Sequence, residues 1–328
     1  MTRLGDVQRN ETRCETRSTL LTVLLWLVTA VIVVAMLLRM LPNNLDGKRY
    51  VPLVVALIPW LGLLSTVIAV FALTIRRIGK RRMLAALSAV CVVIQVAWHW
   101  GYIVPAASPA AQSMATVRVM TFNTKQGVAD AQQIVETIRE EHIEVLAMQE
   151  VSSDLLNRLN DEGIADYLPY SVTPQPTWHD NGGVNVLYSA YPLQETTENL
   201  IPIESSSIPA ATVVLNGRNV RFGSVHPFSP RPRNQGLWNK SLDSIAQLQH
   251  YGNNESYVLM GDFNSTWDHA SFRYLLGDRF TDAGQSAGEG LHMTFPKSTI
   301  LFTTRVCVQL ILQPSGFKVP TISHCLPP

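Results

Sequence analysis

Charged side chains and cysteines are scarce in this chain, and each scarcity excludes a class of protein. Charged residues make up 16% of the 328 residues and hydrophobic ones 47%, which is unlike the composition of an ordinary soluble protein. The formal net charge of +1 gives no sign of the polyanion-binding surface that nucleic-acid-binding proteins usually carry. The four cysteines (Cys14, Cys91, Cys307 and Cys325) are widely spaced, so neither a disulfide framework nor a zinc site is indicated.

The apolar excess lies in the first hundred residues. Residues 19–41 are uncharged apart from Arg39 and, at about 1.5 Å per residue, are long enough to cross a hydrocarbon core of roughly 30 Å. The sequence predicts a transmembrane region at 19–102, with helices at about 19–41, 51–75 and 83–100. A cleaved signal peptide is the alternative for the first helix, but its apolar core would span about 7–15 residues and precede a small-residue cleavage site, whereas Leu-Pro-Asn-Asn-Leu follows here.

The basic residues between these stretches predict an orientation. Residues 76–82 contain five lysines and arginines, whereas the loop at 42–50 contains only Lys48 and Arg49. Because basic loops stay in the cytoplasm, residues 1–18 would form a cytoplasmic tail, and three crossings would place everything after residue 102 outside. We therefore expect a multi-pass protein of the cell membrane. Binding of the basic cluster to anionic lipid or nucleic acid is the alternative.

An α/β pattern begins beyond a linker at 103–116 that is rich in Ala, Ser and Pro. Helices are predicted at 130–141 and 238–250. Strands are predicted at 117–122, 145–149, 184–188, 211–215, 220–225 and 257–260. These elements define a domain at 117–296.

Polar residues suited to chemistry follow several of these strands. The last strand runs into Gly261-Asp262-Phe263-Asn264, which places a carboxylate and an amide on the same side of the chain. The carboxylate can ligate a hard cation, the amide can donate to a phosphoryl oxygen, and the glycine lets the backbone turn. An Asx turn made for local reasons is the alternative. Asn123, Glu150 and His226 end three other strands.

Four motifs together resemble the endonuclease/exonuclease/phosphatase superfamily, which has the deoxyribonuclease-like fold. They are Thr121-Phe122-Asn123, Gln149-Glu150, Ser224-Val225-His226 and Gly261-Asp262-Phe263-Asn264. The resemblance covers residues 117–296. It implies an α/β fold, a four-layer sandwich of two mixed β-sheets with helices outside, and an active site at one rim. It also implies a phosphoester substrate, which could be a nucleic acid, a lipid or a sugar phosphate.

The resemblance also implies a role for each motif residue. Glu150 resembles the glutamate that binds the catalytic divalent metal, Mg²⁺ or Mn²⁺, as one or two ions, and Asn123 resembles the asparagine beside it that orients ligand or phosphate. His226 resembles the histidine that hydrogen-bonds the scissile phosphate or assists the leaving group. Asp262 and Asn264 resemble the catalytic pair that orients the attacking water and binds phosphate.

Two loops are candidates for substrate recognition. The loop at 227–236 carries Arg231 and Arg233, which could meet a phosphate, and the loop at 174–183 carries Trp178, His179 and Asp180. Both loops could equally be solvated turns. A lipid bilayer is the other expected partner, and no protein partner is indicated.

The C-terminal tail departs from the family pattern. The superfamily resemblance calls for an Ile-Asp-His-like strand and a later Ser-Asp-His, whose aspartate and histidine form the general-base pair, but neither occurs in the aberrant tail at 297–328. We therefore expect the C-terminal strands to be missing and the chain to be inactive or poorly folded as written. A shift of reading frame near Pro296 is one hypothesis, because recoding the triplets of 297–301 and 319–321 in the next frame can yield both motifs.

Two classes of function follow from this sequence. The first is a membrane-anchored, metal-dependent phosphoester hydrolase, of the nuclease or phosphodiesterase kind, with its catalytic domain outside the cytoplasm. The second is a non-catalytic membrane protein that retains the superfamily fold.

Overall fold

The computed structural model describes residues 2–74, 80–104, 117–178, 180–251, 256–288, 290 and 312–314. His179, most of the predicted basic loop, most of the predicted linker and nearly all of the tail lie outside the described residues. The chain divides into two compact units. The first contains Met1–Leu41 and Leu53–Trp100, and the second contains Pro42–Pro52 and Gly101–Pro328.

Helices account for the described part of the first unit. In chain order the N-terminal helices are α1 (Thr2–Leu38), α2 (Asn43–Asp46), α3 (Val51–Ala56), α4 (Ile58–Thr74), α5 (Lys80–Trp98) and α6 (Trp100–Ile103). Of these, α2 and all of α6 except Trp100 belong to the second unit. By length and composition, one described segment, Thr19–Leu38, is able to cross a membrane, while Ile58–Thr74 and Arg82–Trp98 are apolar but shorter. The three-helix transmembrane region therefore stays a prediction.

The second unit contains two mixed β-sheets. The strands of the first sheet are β1 (Val119–Asn123), β2 (Val145–Val151), β3 (Tyr170–Val172) and β4 (Val184–Ser189), in the order β1-β2-β4-β3. Those of the second are β5 (Gln194–Thr197), β6 (Ala210–Leu215), β7 (Arg218–Val225), β8 (Ser256–Gly261), β9 (Phe280–Asp282) and β10 (Leu312–Pro314), in the order β5-β6-β7-β8-β10-β9. Within each sheet one pair is parallel, β1 with β2 and β7 with β8.

Helices cover the outer face of each sheet. They are α7 (Ala131–Glu140) and α8 (Ser153–Asp161) on the first sheet, and α9 (Gln235–Ala246) and α10 (Ala270–Leu276) on the second. A further short helix, α11 (Ala283–Ala287), follows β9. On α7, Ala131, Ile134, Val135 and Ile138 are buried, as their spacing predicts. One apolar core joins α7 and α8 to the first sheet, a second joins α9 and α10 to the second sheet, and a third lies between the sheets. The predicted α/β sandwich of four layers is thus observed.

The expectation that the C-terminal strands are missing is wrong for one strand. β10, from the tail, pairs antiparallel with β8 on one side and with β9 on the other. A three-residue strand is held by its backbone hydrogen bonds, which need no sequence motif, so motif spacing did not reveal it. The remaining tail residues lie outside the described part of the chain.

Candidate active site

Strand register brings the predicted residues to one rim. Asn123 ends β1 opposite Gln149 of the parallel strand β2, so it lies beside Glu150. Val225 of β7 stands opposite Gly261 of β8, so the next residues, His226 and Asp262, are neighbours as well. Since the carboxyl ends of parallel strands share one edge of a sheet, each sheet contributes one pair of functional residues.

Asn123 connects these pairs across the two sheets. Its Nδ2 donates to Glu150 Oε1 at 2.9 Å and to Asp262 Oδ2 at 3.2 Å, and lies 3.5 Å from His226 Nε2. Its Oδ1 accepts from the backbone N–H of Lys125 at 2.8 Å, and this bond fixes which end of the amide faces the carboxylates. In this arrangement Asn123 is a donor that orients both acidic groups.

His226 lies beneath the two carboxylates. Its Nε2 is 3.7 Å from Glu150 Oε1 and 4.0 Å from Asp262 Oδ2. The His226 side chain is 1% exposed, whereas those of Glu150 and Asp262 are 18% and 26% exposed. An incoming ligand would therefore meet the carboxylates first and the imidazole behind them. We name Asn123, Glu150, His226 and Asp262 the rim cluster.

The other predicted residues flank the rim cluster or lie apart from it. Asn264 donates its backbone N–H to Asp262 Oδ1 at 3.0 Å and its Nδ2 to Pro227 O at 3.1 Å. One of its two side-chain N–H donors thus remains for a ligand. Arg231 and Arg233 are exposed, and among the described residues neither guanidinium bonds to the rim cluster.

Left-handed backbone and close glycine contacts shape the rim. Glu150 and Asn264 have φ angles of 56° and 50°, which cost free energy for residues with a side chain and often mark functional sites. A Cβ on Gly182 would lie 2.8 Å from Glu150 Cδ, and one on Gly261 would lie 1.9 Å from Val225 O. The role of Gly182 was missed because its partner is distant in sequence.

A serine pair, also missed from the sequence, holds the backbone of His226. The hydroxyls of Ser205 and Ser206 donate to His226 O at 3.0 and 2.8 Å. Asn185 of β4 donates to Ser206 Oγ at 3.1 Å, so this network also connects the two sheets. Adjacent serines in a loop carry no periodic signal that could have identified it.

The rim cluster fits a hard divalent cation, although it does not form a closed metal cage. No group of three or more His, Cys, Asp or Glu side chains with metal-binding geometry occurs in the part of the chain that the structure describes. Glu150 and Asp262 nevertheless present two partly exposed carboxylates close to the same amide group. Mg²⁺ is usually held by one or two carboxylates together with waters and substrate phosphate oxygens, so this donor set suits it.

A second polar cluster lies beneath the α9–α10 face, where α2 docks. Asp46 Oδ2 accepts from Ser271 N at 2.9 Å, and Asn239 Nδ2 donates to Asn43 O at 3.1 Å and to Ser271 Oγ at 2.7 Å. His269 Nε2 lies 2.9 Å from Pro52 O. We name the four buried side chains Asp46, Asn239, His269 and Ser271 the loop clasp, because they fasten the loop between the first two apolar helices to the α/β domain.

The hydrogen bonds of His269 define its protonation state. Thr266 N–H donates to His269 Nδ1 at 2.8 Å, so Nδ1 carries a lone pair and Nε2 carries the proton donated to Pro52 O. Burial lowers the pKa of His269, against the opposing influence of Asp46 and other neighbours. The neutral imidazole is therefore the form that the loop clasp requires.

Comparison with known proteins assigns a family to the α/β domain. Residues 120–315 match the model of the Endonuclease/Exonuclease/phosphatase family. A family protein from Leptotrichia buccalis is 18% identical, with a TM-score of 0.47 over 64% of this chain and 90% of that one. The beta toxin of Staphylococcus aureus, solved with bound magnesium ions, is 14% identical, with a TM-score of 0.46 over 61% of this chain and 85% of the toxin.

A mannosyl-6-phosphatase from Bacteroides thetaiotaomicron is also similar, with 14% identity and a TM-score of 0.42 over 64% of this chain and 88% of that one. No curated protein sequence matches this chain.

Proposed function

Because the chain belongs to the endonuclease/exonuclease/phosphatase family, we propose that it is a membrane-anchored, divalent-metal-dependent phosphoester hydrolase with its catalytic domain outside the cytoplasm. The observation that carries this proposal is the rim cluster. Four polar residues from four strand ends, which are separated by up to 139 positions in the sequence, meet within hydrogen-bonding or ion-pairing distance.

Each residue of the rim has a role that follows from its position. Glu150 and Asp262 are the residues that would hold a Mg²⁺ or Mn²⁺ ion, and one such ion suits two carboxylates. When bound, the ion would supply Lewis-acid chemistry at a phosphoryl oxygen. Asn123, whose two N–H groups already reach Glu150 and Asp262, would orient these carboxylates around the ion. The remaining amide N–H of Asn264 would donate to the phosphate, and His226 would hydrogen-bond the phosphate or assist the leaving group.

Exposed apolar side chains support the membrane anchor. Leu27, Val31, Leu63, Leu73 and Val93, which lie on α1, α4 and α5, are 59–70% exposed. Soluble proteins seldom leave so many large apolar groups in water, whereas lipid tails solvate them readily. These surfaces support membrane spans by α4 and α5 as well as by Thr19–Leu38.

The loop clasp supports the proposed topology. Residues 42–52 and the domain after residue 101 belong to one compact unit, so they lie on the same side of any membrane. The chain must then cross an even number of times between residues 52 and 101. Two crossings, by α3–α4 and by α5, satisfy this condition. The basic residues between them, which lie partly outside the described residues, predict that the domain faces outward.

Turnover of a generic phosphodiester tests the hydrolase. The full chain in detergent should hydrolyse bis(4-nitrophenyl) phosphate with Mg²⁺ or Mn²⁺, and a chelator should abolish the activity. The chain as written should be compared with a version whose tail is recoded to contain Ile-Asp-His and Ser-Asp-His. If only the recoded version hydrolyses the diester, the general base lies in the recoded tail. If both versions hydrolyse it, the Asp-His pair of the recoded tail is not needed for turnover.

The missing Asp-His motifs favour a second candidate, a non-catalytic membrane protein that retains the fold. It predicts that neither version turns over any phosphoester. The origin of the tail is a separate question that DNA sequencing across the codons of Pro296 and Lys297 answers. An intact frame without alternative Asp-His triplets would remove the frameshift hypothesis.

A further inference from the structure

The most exposed large apolar side chains of the described α/β domain lie beside the rim cluster. Trp178 is 88% exposed and Val128 is 72% exposed, whereas the next, Tyr274, is 49% exposed. Single exposed apolar residues are common on protein surfaces and need no explanation. These two are distinguished by their position, because each lies on a turn that contacts Glu150.

The turn that carries Val128 follows β1 directly. Within it, Gln126 N–H donates to Glu150 Oε2 at 3.0 Å, and Val128 N–H donates to Lys125 O at 3.4 Å. Val128 is two residues beyond Gln126, so its Cα lies within about 7 Å of that contact. The turn therefore holds an aliphatic side chain in solvent next to the proposed metal ligand.

The turn that carries Trp178 is fastened at several points. Asp180 N–H donates to Thr177 O at 3.2 Å, and the Asp180 carboxylate accepts from Thr177 N–H. Asn181 N–H donates to the carbonyl of Ser205 at 2.8 Å, and the Ser205 hydroxyl in turn supports His226. Gly182, against Glu150, is four residues from Trp178, which limits their Cα separation to about 14 Å.

We propose that Trp178 and Val128 form an apolar rim that inserts into a phospholipid surface, and that the substrate is the phosphoester of a membrane lipid. This inference rests on the proposed hydrolase function. Tryptophan favours the boundary between headgroups and acyl chains, because its ring is apolar while its N–H remains hydrated. Both side chains lie on turns that are anchored to the site, so insertion would bring lipid phosphates to the rim cluster.

The charges of the two turns favour lipid over nucleic acid. Residues 124–130 carry Lys125 and Asp130, and residues 173–183 carry Asp180 with no lysine or arginine. Nucleic-acid binding draws most of its affinity from cationic contacts with phosphates, and these turns offer one cation, Lys125, against two carboxylates. An aliphatic valine also has no ring on which a base could stack. A neutral or zwitterionic bilayer fits an apolar rim whose turns carry a single basic residue.

Fluorescence quenching tests insertion independently of turnover. The full chain is reconstituted in phosphatidylcholine vesicles with or without dibrominated phosphatidylcholine. Subtracting the fluorescence spectrum of the Trp178→Phe variant from that of the wild type gives the emission of Trp178. We expect the brominated lipid to quench this difference by about half or more and aqueous acrylamide to quench it weakly, since the ring would sit at the headgroup boundary. As a control, Tyr170→Trp in the Trp178→Phe background should respond to acrylamide alone. If Trp178 behaves like this control, the proposal is overturned.

Turnover tests the substrate class. Trp178→Ala should lower kcat/KM for phosphatidylcholine in mixed micelles about tenfold, as expected for an interfacial tryptophan, with bis(4-nitrophenyl) phosphate unaffected. Val128→Ser should have a smaller effect of the same kind, and Val214→Ser, at an exposed valine of β6, should have none. A loss specific to a single-stranded oligonucleotide would overturn the proposal in favour of base stacking. If the wild-type protein hydrolyses neither the soluble diester nor the lipid, the proposed hydrolase function is wrong. The fluorescence quenching of Trp178 then decides by itself whether the apolar rim inserts into the bilayer.

Discussion

Two polar clusters in the α/β domain have opposite characters. In the loop clasp, Asn239, His269 and Ser271 make hydrogen bonds of 2.7–3.2 Å, and all four side chains are more than nine-tenths buried. In the rim cluster, two carboxylates are partly exposed, His226 lies 3.7–4.0 Å from them, and Glu150 has left-handed backbone. Buried hydrogen bonds such as those of Asn239, His269 and Ser271 favour stability, although Asp46 Oδ1 has no partner among the described residues. Wider contacts and backbone strain, as in the rim cluster, are typical of a site that binds a ligand. We therefore expect mutations in the two clusters to separate activity from stability.

The largest expected effect is loss of turnover in the rim cluster. In whichever version of the chain hydrolyses the diester, Asp262→Ala should lower kcat at least about 10³-fold, because it removes a charge that holds the metal and orients water. Its thermal stability should hardly change, since the variant also relieves repulsion with Glu150. Asp278→Ala, at an exposed aspartate, is the control. If the Asp262→Ala variant unfolds instead, Asp262 contributes to the stability of the fold and its loss of turnover says nothing about catalysis.

The converse variant lies in the loop clasp. His269→Ala should lower the free energy of unfolding by about 2–4 kcal/mol, because it opens a cavity and leaves Thr266 N–H and Pro52 O without their partner. The rate per folded molecule should stay near wild type. Denaturation in detergent would measure the loss, with His250→Ala at an exposed histidine as the control. If His269→Ala is stable but inactive, the expectation that loop-clasp mutations affect stability and not activity is wrong.

The pH dependence of stability should identify the same histidine. The pKa of His269 is lowered in the folded protein from its ordinary value of 6.5, so the unfolded chain binds the proton more readily. Stability should therefore fall as the pH drops below about 6.5, by up to about 1.4 kcal/mol per pH unit. His269→Gln should remove this part of the dependence. Equal pH profiles for the two proteins would show that His269 does not titrate in this way.

The smallest effect concerns the exposed arginines. Arg231→Ala or Arg233→Ala should raise KM for a diester by no more than about threefold, with kcat unchanged, because an exposed ion pair is worth about 0–1 kcal/mol. Steady-state kinetics of the double variant would show whether the two arginines together lower KM for the diester. A loss as large as that of Asp262→Ala would mean that the loop closes onto the phosphate.

Particular residues show what the sequence could and could not predict. The rim cluster was predictable because Asn123, Glu150, His226 and Asp262 each follow an apolar strand, and parallel strands end at one edge. The loop clasp was not, since α2 has only four residues and shows no periodicity. Its partners Asn239 and Ser271 lie about two hundred residues away. β10 was missed because backbone pairing, and not a motif, defines it.

The long separation between α2 and its partners also affects biosynthesis. Residues 43–52 leave the ribosome well before Asn239 and Ser271 are made, so the α/β domain cannot complete its packing until nearly the whole chain has been translated. A soluble fragment that starts after α6 would lack this segment and would expose His269 and Asn239 to water. Expression trials that trim the apolar helices should therefore carry residues 43–52 as a fused or added peptide.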